Sequence, residues 1–106
     1  GEYNERELSP LLDRFAKPRD IDHTVLVSHA PPYRTKLDRM FVGLHVGSKT
    51  IRAFIERIRP DMVICGHIHE ARGSDRISGT LIINPGPFPE HYAEIDLGKK
   101  IEFKLY

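Results

Sequence analysis

Apolar positions along this chain follow two rhythms, one of helical period and one of strand period, and the switches between them outline an α/β order. Leu8, Leu11, Leu12 and Phe15 fall at i, i+3, i+4 and i+7, which predicts an amphipathic helix over 5–17. Its start has two readings. Asn4 with Glu7 makes a capping box, and Ser9 with Pro10 makes an N-cap followed by a proline in the first helical position. Pro18 ends the pattern in both. Thr24-Val25-Leu26-Val27 is a short apolar run that reads as a buried strand, closed by the Pro31-Pro32 pair. Residues 34–47 carry mixed charge and two glycines, Gly43 and Gly47, and read as a loop.

Helical spacing returns at Ile51, Phe54, Ile55 and Ile58, which predicts a helix over 49–59 with Ser48 as N-cap. Arg57 and Arg59 sit where positive charge suits a helix C-terminus, and Pro60 stops it. A second apolar run, Asp61-Met62-Val63-Ile64-Cys65, reads as a strand, so strand, helix and strand make a βαβ unit with a parallel pair. Residues 72–79 are rich in turn formers and read as a turn. Residues 80–83 read as a third strand, closed by Asn84-Pro85-Gly86-Pro87. Beyond it, Ala93, Ile95 and Leu97 alternate with Glu94 and Asp96, and Ile101, Phe103 and Leu105 alternate with Glu102 and Lys104. That pattern over 91–97 and 101–106 predicts a half-buried antiparallel hairpin.

Composition narrows the function classes. The chain has 106 residues, 40% hydrophobic and 29% charged, which suits a globular chain rather than a disordered one. Sixteen basic and fifteen acidic side chains leave a net charge of +1, so no electrostatic case exists for nucleic acid or an anionic membrane. No apolar run is long enough to span a bilayer. The single cysteine, Cys65, rules out an internal disulfide and reads as a buried small hydrophobe; a reduced, cytoplasmic setting is expected. The first residue is glycine, which reads as processing, a tag remnant or a fragment.

The candidate chemistry lies at the strand ends. His29 follows the first strand, and His67 and His69 follow the second. Ligands of open α/β sheets collect outside the carboxyl ends of strands, and adjacent strands lie about 4.8 Å apart. Neutral imidazole is a common ligand of divalent transition ions. Gly66, just before His67, permits close backbone approach. His23 and His91 have no partner pattern and read as surface residues, as do Tyr33 and Arg34.

These residues carry a family resemblance. Ser28-His29-Ala30-Pro31-Pro32 resembles the Gly/Ser-His-x-Pro-Pro block of the calcineurin-like metallophosphoesterases, and Gly66-His67-Ile68-His69-Glu70 resembles their Gly-His-x-His block. His45-Val46-Gly47-Ser48 and Ile83-Asn84-Pro85-Gly86-Pro87 are similar to the small prokaryotic phosphoesterase branch. The resemblance implies a four-layer α-β-β-α sandwich around two divalent transition ions (Mn, Fe, Zn or Ni), of which residues 1–106 form the C-terminal half. It implies that His29 and His67 bind one ion, that His69 binds the other, and that His45 and Asn84 face the substrate. The implied reaction is metal-dependent hydrolysis of a phosphomonoester or phosphodiester.

The family's Asp-x-His, Gly-Asp and Gly-Asn-His blocks are missing from this sequence. They would supply the bridging carboxylate and the general acid, so no catalytic residue is assigned within the chain. Three neutral histidines provide no charge to balance two dications, whose mutual repulsion at close range is large. The expectation is a partial domain that needs its N-terminal half in cis or in trans, or that self-associates as a homo-oligomer. Alone, it is expected to be weakly active or inactive. The rival expectations are an inactive scaffold or binding module of the same fold, and a simple one-metal zinc domain.

Overall fold

A computed structural model describes residues 5–17, 20–38, 45, 47–66, 68 and 71–106. The elements run in the order α1 (Glu5–Asp13), β1 (Val25–Val27), α2 (Lys49–Ile58), β2 (Met62–Ile64), β3 (Gly73–Ile77), β4 (Thr80–Asn84), β5 (Ala93–Leu97) and β6 (Ile101–Leu105). Strands β1 to β4 form one sheet in the order β1-β2-β4-β3, and β5 and β6 form a second sheet of two strands.

The expected βαβ unit is present. β1 pairs parallel to β2 with Leu26 opposite Val63, and β2 pairs parallel to β4 with Val63 opposite Ile82. α2 makes the crossover. Ser48 caps it in extended conformation and accepts from the Ile51 N–H at 3.0 Å. Arg59 ends it in the left-handed region, φ 53, with its N–H bonded to the Ile55 carbonyl. Ile51 and Ile55 bury the inner face of α2 against Val63, Cys65, Ile77 and Ile82 of the sheet, with Leu8, Leu12 and Leu26 packed around them. The opposite face of the sheet, through Met62, Leu81 and Ile83, packs on Ala93, Ile95, Ile101 and Phe103 of the hairpin. β4 lies between these two cores and is buried along its whole length. The described residues therefore stack as helices, four-stranded sheet and two-stranded sheet.

Three sequence expectations change. α1 begins at Glu5 and contains Pro10, so the start at Ser9 is overturned. A proline there removes one backbone bond, while Leu8 and Leu12 continue to anchor the helix on the core. The helix also stops at Asp13, four residues short of the expected end, and Leu11 is 47% exposed. Arg57 reaches from α2 to donate to the carbonyls of Leu12 and Phe15 at 2.8 and 3.3 Å, which satisfies one acceptor in the last turn of the helix and one just past it. Phe15 lies beyond the helix with its ring edge-on to Phe54, centroids 5.4 Å apart.

The third change is β3, expected as a turn. Gly73–Ile77 pairs antiparallel with β4, and the connection through Ser78 (φ 46) and Gly79 (φ 88) has both central residues left-handed, the signature of a two-residue hairpin turn. Its charged Asp75 and Arg76 lie on an edge strand, where charge discourages pairing with another chain. β1 forms the other edge and has, among the described residues, a partner on one side only; Val27 is 74% exposed.

Two expectations follow from this packing. Ser48→Ala removes the cap of the crossover helix and should lower unfolding free energy by about 1 kcal/mol in a denaturant titration. Burial pushes the Cys65 thiol up to about 12. Thiol reagents should therefore leave Cys65 unmodified in the folded protein and react only as it unfolds.

Candidate metal centre and its supporting loops

The ladder between β1 and β2 continues past both strands into the histidine loops. Ser28 N–H donates to the Ile64 carbonyl at 2.9 Å, and Gly66 N–H donates to the His29 carbonyl at 3.0 Å. The second bond joins the first histidine of one motif to the glycine that opens the other. His29 is exposed beside it. A side chain added at Gly66 would come within 4.0 Å of the His29 carbonyl, so the two backbones touch. His67 and His69 lie outside the described residues. Ile68 between them is buried, and its N–H donates to the Gly66 carbonyl at 2.8 Å, which bends the chain sharply after the strand. Among the described residues, no group of three histidine, cysteine or carboxylate side chains is placed to hold an ion.

Each histidine loop is held by a buried polar side chain. On the His67–His69 side this is Asn84, at the end of β4 and 1% exposed. Its amide nitrogen donates to the Ile68 carbonyl at 2.9 Å and to Ala71 at 3.4 Å, and its oxygen accepts from Gly86 N–H at 3.1 Å. The sequence gives Asn84 two readings, the turn that closes β4 and a contact on the substrate side. In the fold its described bonds all go to backbone, and they fix the loop that carries two of the expected ligands.

On the His29 side the holding group is Asp38, which sequence analysis assigned no role. Residues 34–38 read as loop, yet Leu37 inserts into the helix-side core at 1% exposure and Asp38 beside it is fully buried. The Asp38 carboxylate accepts from the backbone N–H groups of Arg34 (2.9 Å), Thr35 (3.0 Å) and Gly47 (3.0 Å), and from His45 Nδ1 (2.5 Å). Burial by itself would raise the Asp38 carboxyl. The bonds from His45, Gly47, Arg34 and Thr35 outweigh it and hold the group below its ordinary value. The loop then closes on itself: Ser48 N–H donates to the Pro31 carbonyl at 2.7 Å, Tyr33 N–H donates to the Ser48 carbonyl at 3.0 Å, and Pro32 bridges Ser48 in parallel. His29 and His45 each stand three residues before one partner of that bridge. Arg52 of α2 adds bonds to the carbonyls of Tyr33 (3.0 Å) and Arg34 (3.1 Å). No apolar period marks Asp38; the one available signal is a lone aspartate beside Leu37, nine residues ahead of Gly47.

The remaining histidines have structural partners. His23 Nε2 bonds the Gly98 carbonyl at 2.6 Å and ties β1's approach to the hairpin turn, while His91 Nδ1 lies 3.1 Å from the Tyr106 carbonyl. Arg72 donates to the carbonyls of Pro85 (3.0 Å) and Tyr106 (2.6 Å).

With this geometry in place, comparison with known proteins gives the family. A family model described as metallophosphoesterase, calcineurin superfamily, matches residues 2–105. The chain belongs to that family. A 91-residue match at 42% identity links it to the uncharacterized protein MJ1162 of Methanocaldococcus jannaschii, covering 82% of this chain and 41% of the relative. A crystal structure 30% identical in sequence superposes with a TM-score of 0.66 over 94% of this chain and 37% of its own. The crystal structure of TT1561 of Thermus thermophilus shares the fold, with a TM-score of 0.50 at 21% identity over 76% of this chain and 33% of its own. The chain thus spans about two-fifths of the length of MJ1162. Metallophosphoesterases are hydrolases that use divalent metal ions, and the α/β sheet with its terminal hairpin is of their type. No helix among the described residues is long and apolar enough to cross a membrane.

Two expectations test the His29-side loop. A side chain on Gly47 would meet the Pro31 carbonyl at 2.6 Å, Asp38 Cβ at 2.7 Å and the Pro32 carbonyl at 2.7 Å. Gly47→Ala should therefore destabilise by about 1–3 kcal/mol in thermal or denaturant unfolding, the usual range for overpacking. Asp38 titrates lower when folded, so its charged form favours folding. That contribution is complete above the unfolded value and is lost as pH falls through the folded one. The thermal midpoint should drop on acidification below about pH 4, and Asp38→Asn should flatten that limb of the curve.

Proposed function

We propose that this chain supplies histidine ligands to a divalent-metal centre that hydrolyses a phosphomonoester or phosphodiester, as part of a longer phosphoesterase domain. The observation that carries this reading is the Gly66 N–H bond to the His29 carbonyl, which brings both histidine motifs to one edge of the parallel sheet. His29 and His67 are the ligands of one ion and His69 of a second. The donor set is imidazole, which suits Fe, Zn or Ni better than Mg or Ca, and Mn joins them once carboxylates complete the centre. A divalent ion held there neutralises phosphate charge and supplies an activated water.

The three imidazoles are neutral, so they suit one ion and leave a pair of ions about 3.5–4 Å apart uncompensated. Carboxylates from the rest of a longer protein, in cis or in trans, complete the centre. The open edge of β1, where Val27 is exposed, is a place for that part to pair. Within the chain, His29 and His67 orient the ion, Asn84 and Asp38 hold the two loops still, and His45 faces the substrate.

The full-length protein, loaded with Mn, Ni or Zn, should hydrolyse p-nitrophenyl phosphate or its bis-ester. His29→Ala should weaken metal binding, measured by calorimetry, by more than about tenfold, since loss of even an outer-shell partner costs that much. No metal uptake after reconstitution, or no turnover with any of the three ions, contradicts the proposal.

A further inference from the structure

We propose that Asp38 is a positioning residue, which holds His45 with Nδ1–H turned inward and presents Nε2 to a phosphoryl oxygen of the substrate. This rests on the phosphoester reading above and adds to it the group that sets His45.

The argument begins with what a buried carboxylate needs. Asp38 is fully buried, and a buried charge persists only when it is well hydrogen-bonded. Three backbone N–H groups, from Arg34, Thr35 and Gly47, already meet that need and close the loop. The fourth bond goes to the ring of His45, whose side chain remains 33% exposed. Fixing a partly exposed ring loses rotamer freedom and gives loop closure little in return. What it does is define the imidazole. An ionised carboxylate only accepts, so Nδ1 carries the proton and Nε2 points away from Asp38.

Packing fixes the rest of the ring. Tyr33 meets it edge-on, centroids 6.1 Å apart at 72°. Arg34 and Lys49 lie over the Tyr33 ring at 5.5 and 5.1 Å, so the ring that meets His45 carries two cations. A rim of that charge suits a phosphate ester. The Pro32–Ser48 bridge sets the segment that follows His45 beside the segment that leaves His29. In the complex the ring takes up a second proton from solvent, donates Nδ1–H to Asp38 and Nε2–H to the phosphoryl oxygen, and the carboxylate is the counter-ion of the ring.

A kinetic cycle on the full-length, metal-loaded protein tests the coupling. His45→Ala should lower kcat/KM by about tenfold to a hundredfold, the range for a hydrogen bond to a charged group. Asp38→Asn should cost a similar factor in the wild-type background and nothing further once His45 is alanine, because it acts through that ring. Equal loss in both backgrounds overturns the proposal. His45→Gln keeps the three backbone bonds of Asp38; it should lose activity at an unchanged thermal midpoint, and full activity in this variant overturns the proposal even where Asp38→Asn fails to fold.

Imidazole nitrogen NMR gives a readout free of turnover. His45 should show Nδ1 protonated, and its Nε2 signal should move on titration with inorganic phosphate. A free-state ring with its proton on Nε2 and none on Nδ1, or no response to phosphate, overturns the positioning role. An inactive wild type with the expected tautomer and phosphate response would instead sink the hydrolase reading and leave the positioning intact.

Discussion

Parallel pairing of β1 with β2 is the constraint on which the candidate centre depends. In a parallel pair both chains leave the sheet at the same edge, so the residues after each strand become neighbours. An antiparallel pair would send them to opposite ends, about 10 Å apart for strands of three residues at about 3.3 Å each. The pairing persists beyond the regular strands, through Ser28 to Ile64 and Gly66 to His29, and so runs into the first residues of both motifs. A crossover helix is what permits parallel strands to be consecutive. The burial of Ile51 and Ile55 on the sheet is therefore as much part of the site as the histidines are.

A shared edge alone does not hold two irregular loops in place. Here each loop is tied by one buried polar side chain of opposite hydrogen-bonding character. Asp38 accepts from the backbone N–H groups of the loop between β1 and α2, and Asn84 donates to the carbonyls of the loop after β2. Both lie beside core residues, Leu37 for the first and Ile83 for the second, so apolar packing positions the polar clamp. Backbone groups tied in this way have less freedom left to lose on binding a ligand.

Periodicity made much of the fold legible before any coordinates. The crossover helix and its Ser48 cap, the parallel strands and the terminal hairpin all had strong local signals, from spaced isoleucines, a capping serine and alternating charges. β3 was missed because Gly73-Ser74-Asp75-Arg76 offers no alternation; only Ile77 enters the core, and the strand forms because β4 has a free edge to pair. α1 was overextended because Phe15 continues the helical spacing although it packs on Phe54 from outside the helix. At the candidate site, the placement of His29 beside Gly66 was legible from the order of strands and motifs. Asp38 was not, because its role arises from contacts with His45 and Gly47, seven and nine residues on, across a stretch with no periodic pattern to announce them.

The central claim, that the imidazoles after β1 and β2 share a cation, is open to direct observation. Anomalous diffraction from crystals of the full-length protein grown with manganese or zinc would locate the ion against both motifs. The account predicts a peak with nitrogens of His29 and His67 each at about 2.0–2.1 Å when the ion is zinc, and a second peak beside His69. A peak held by His67 and His69 alone, with the ring of His29 turned away from any metal, would contradict it.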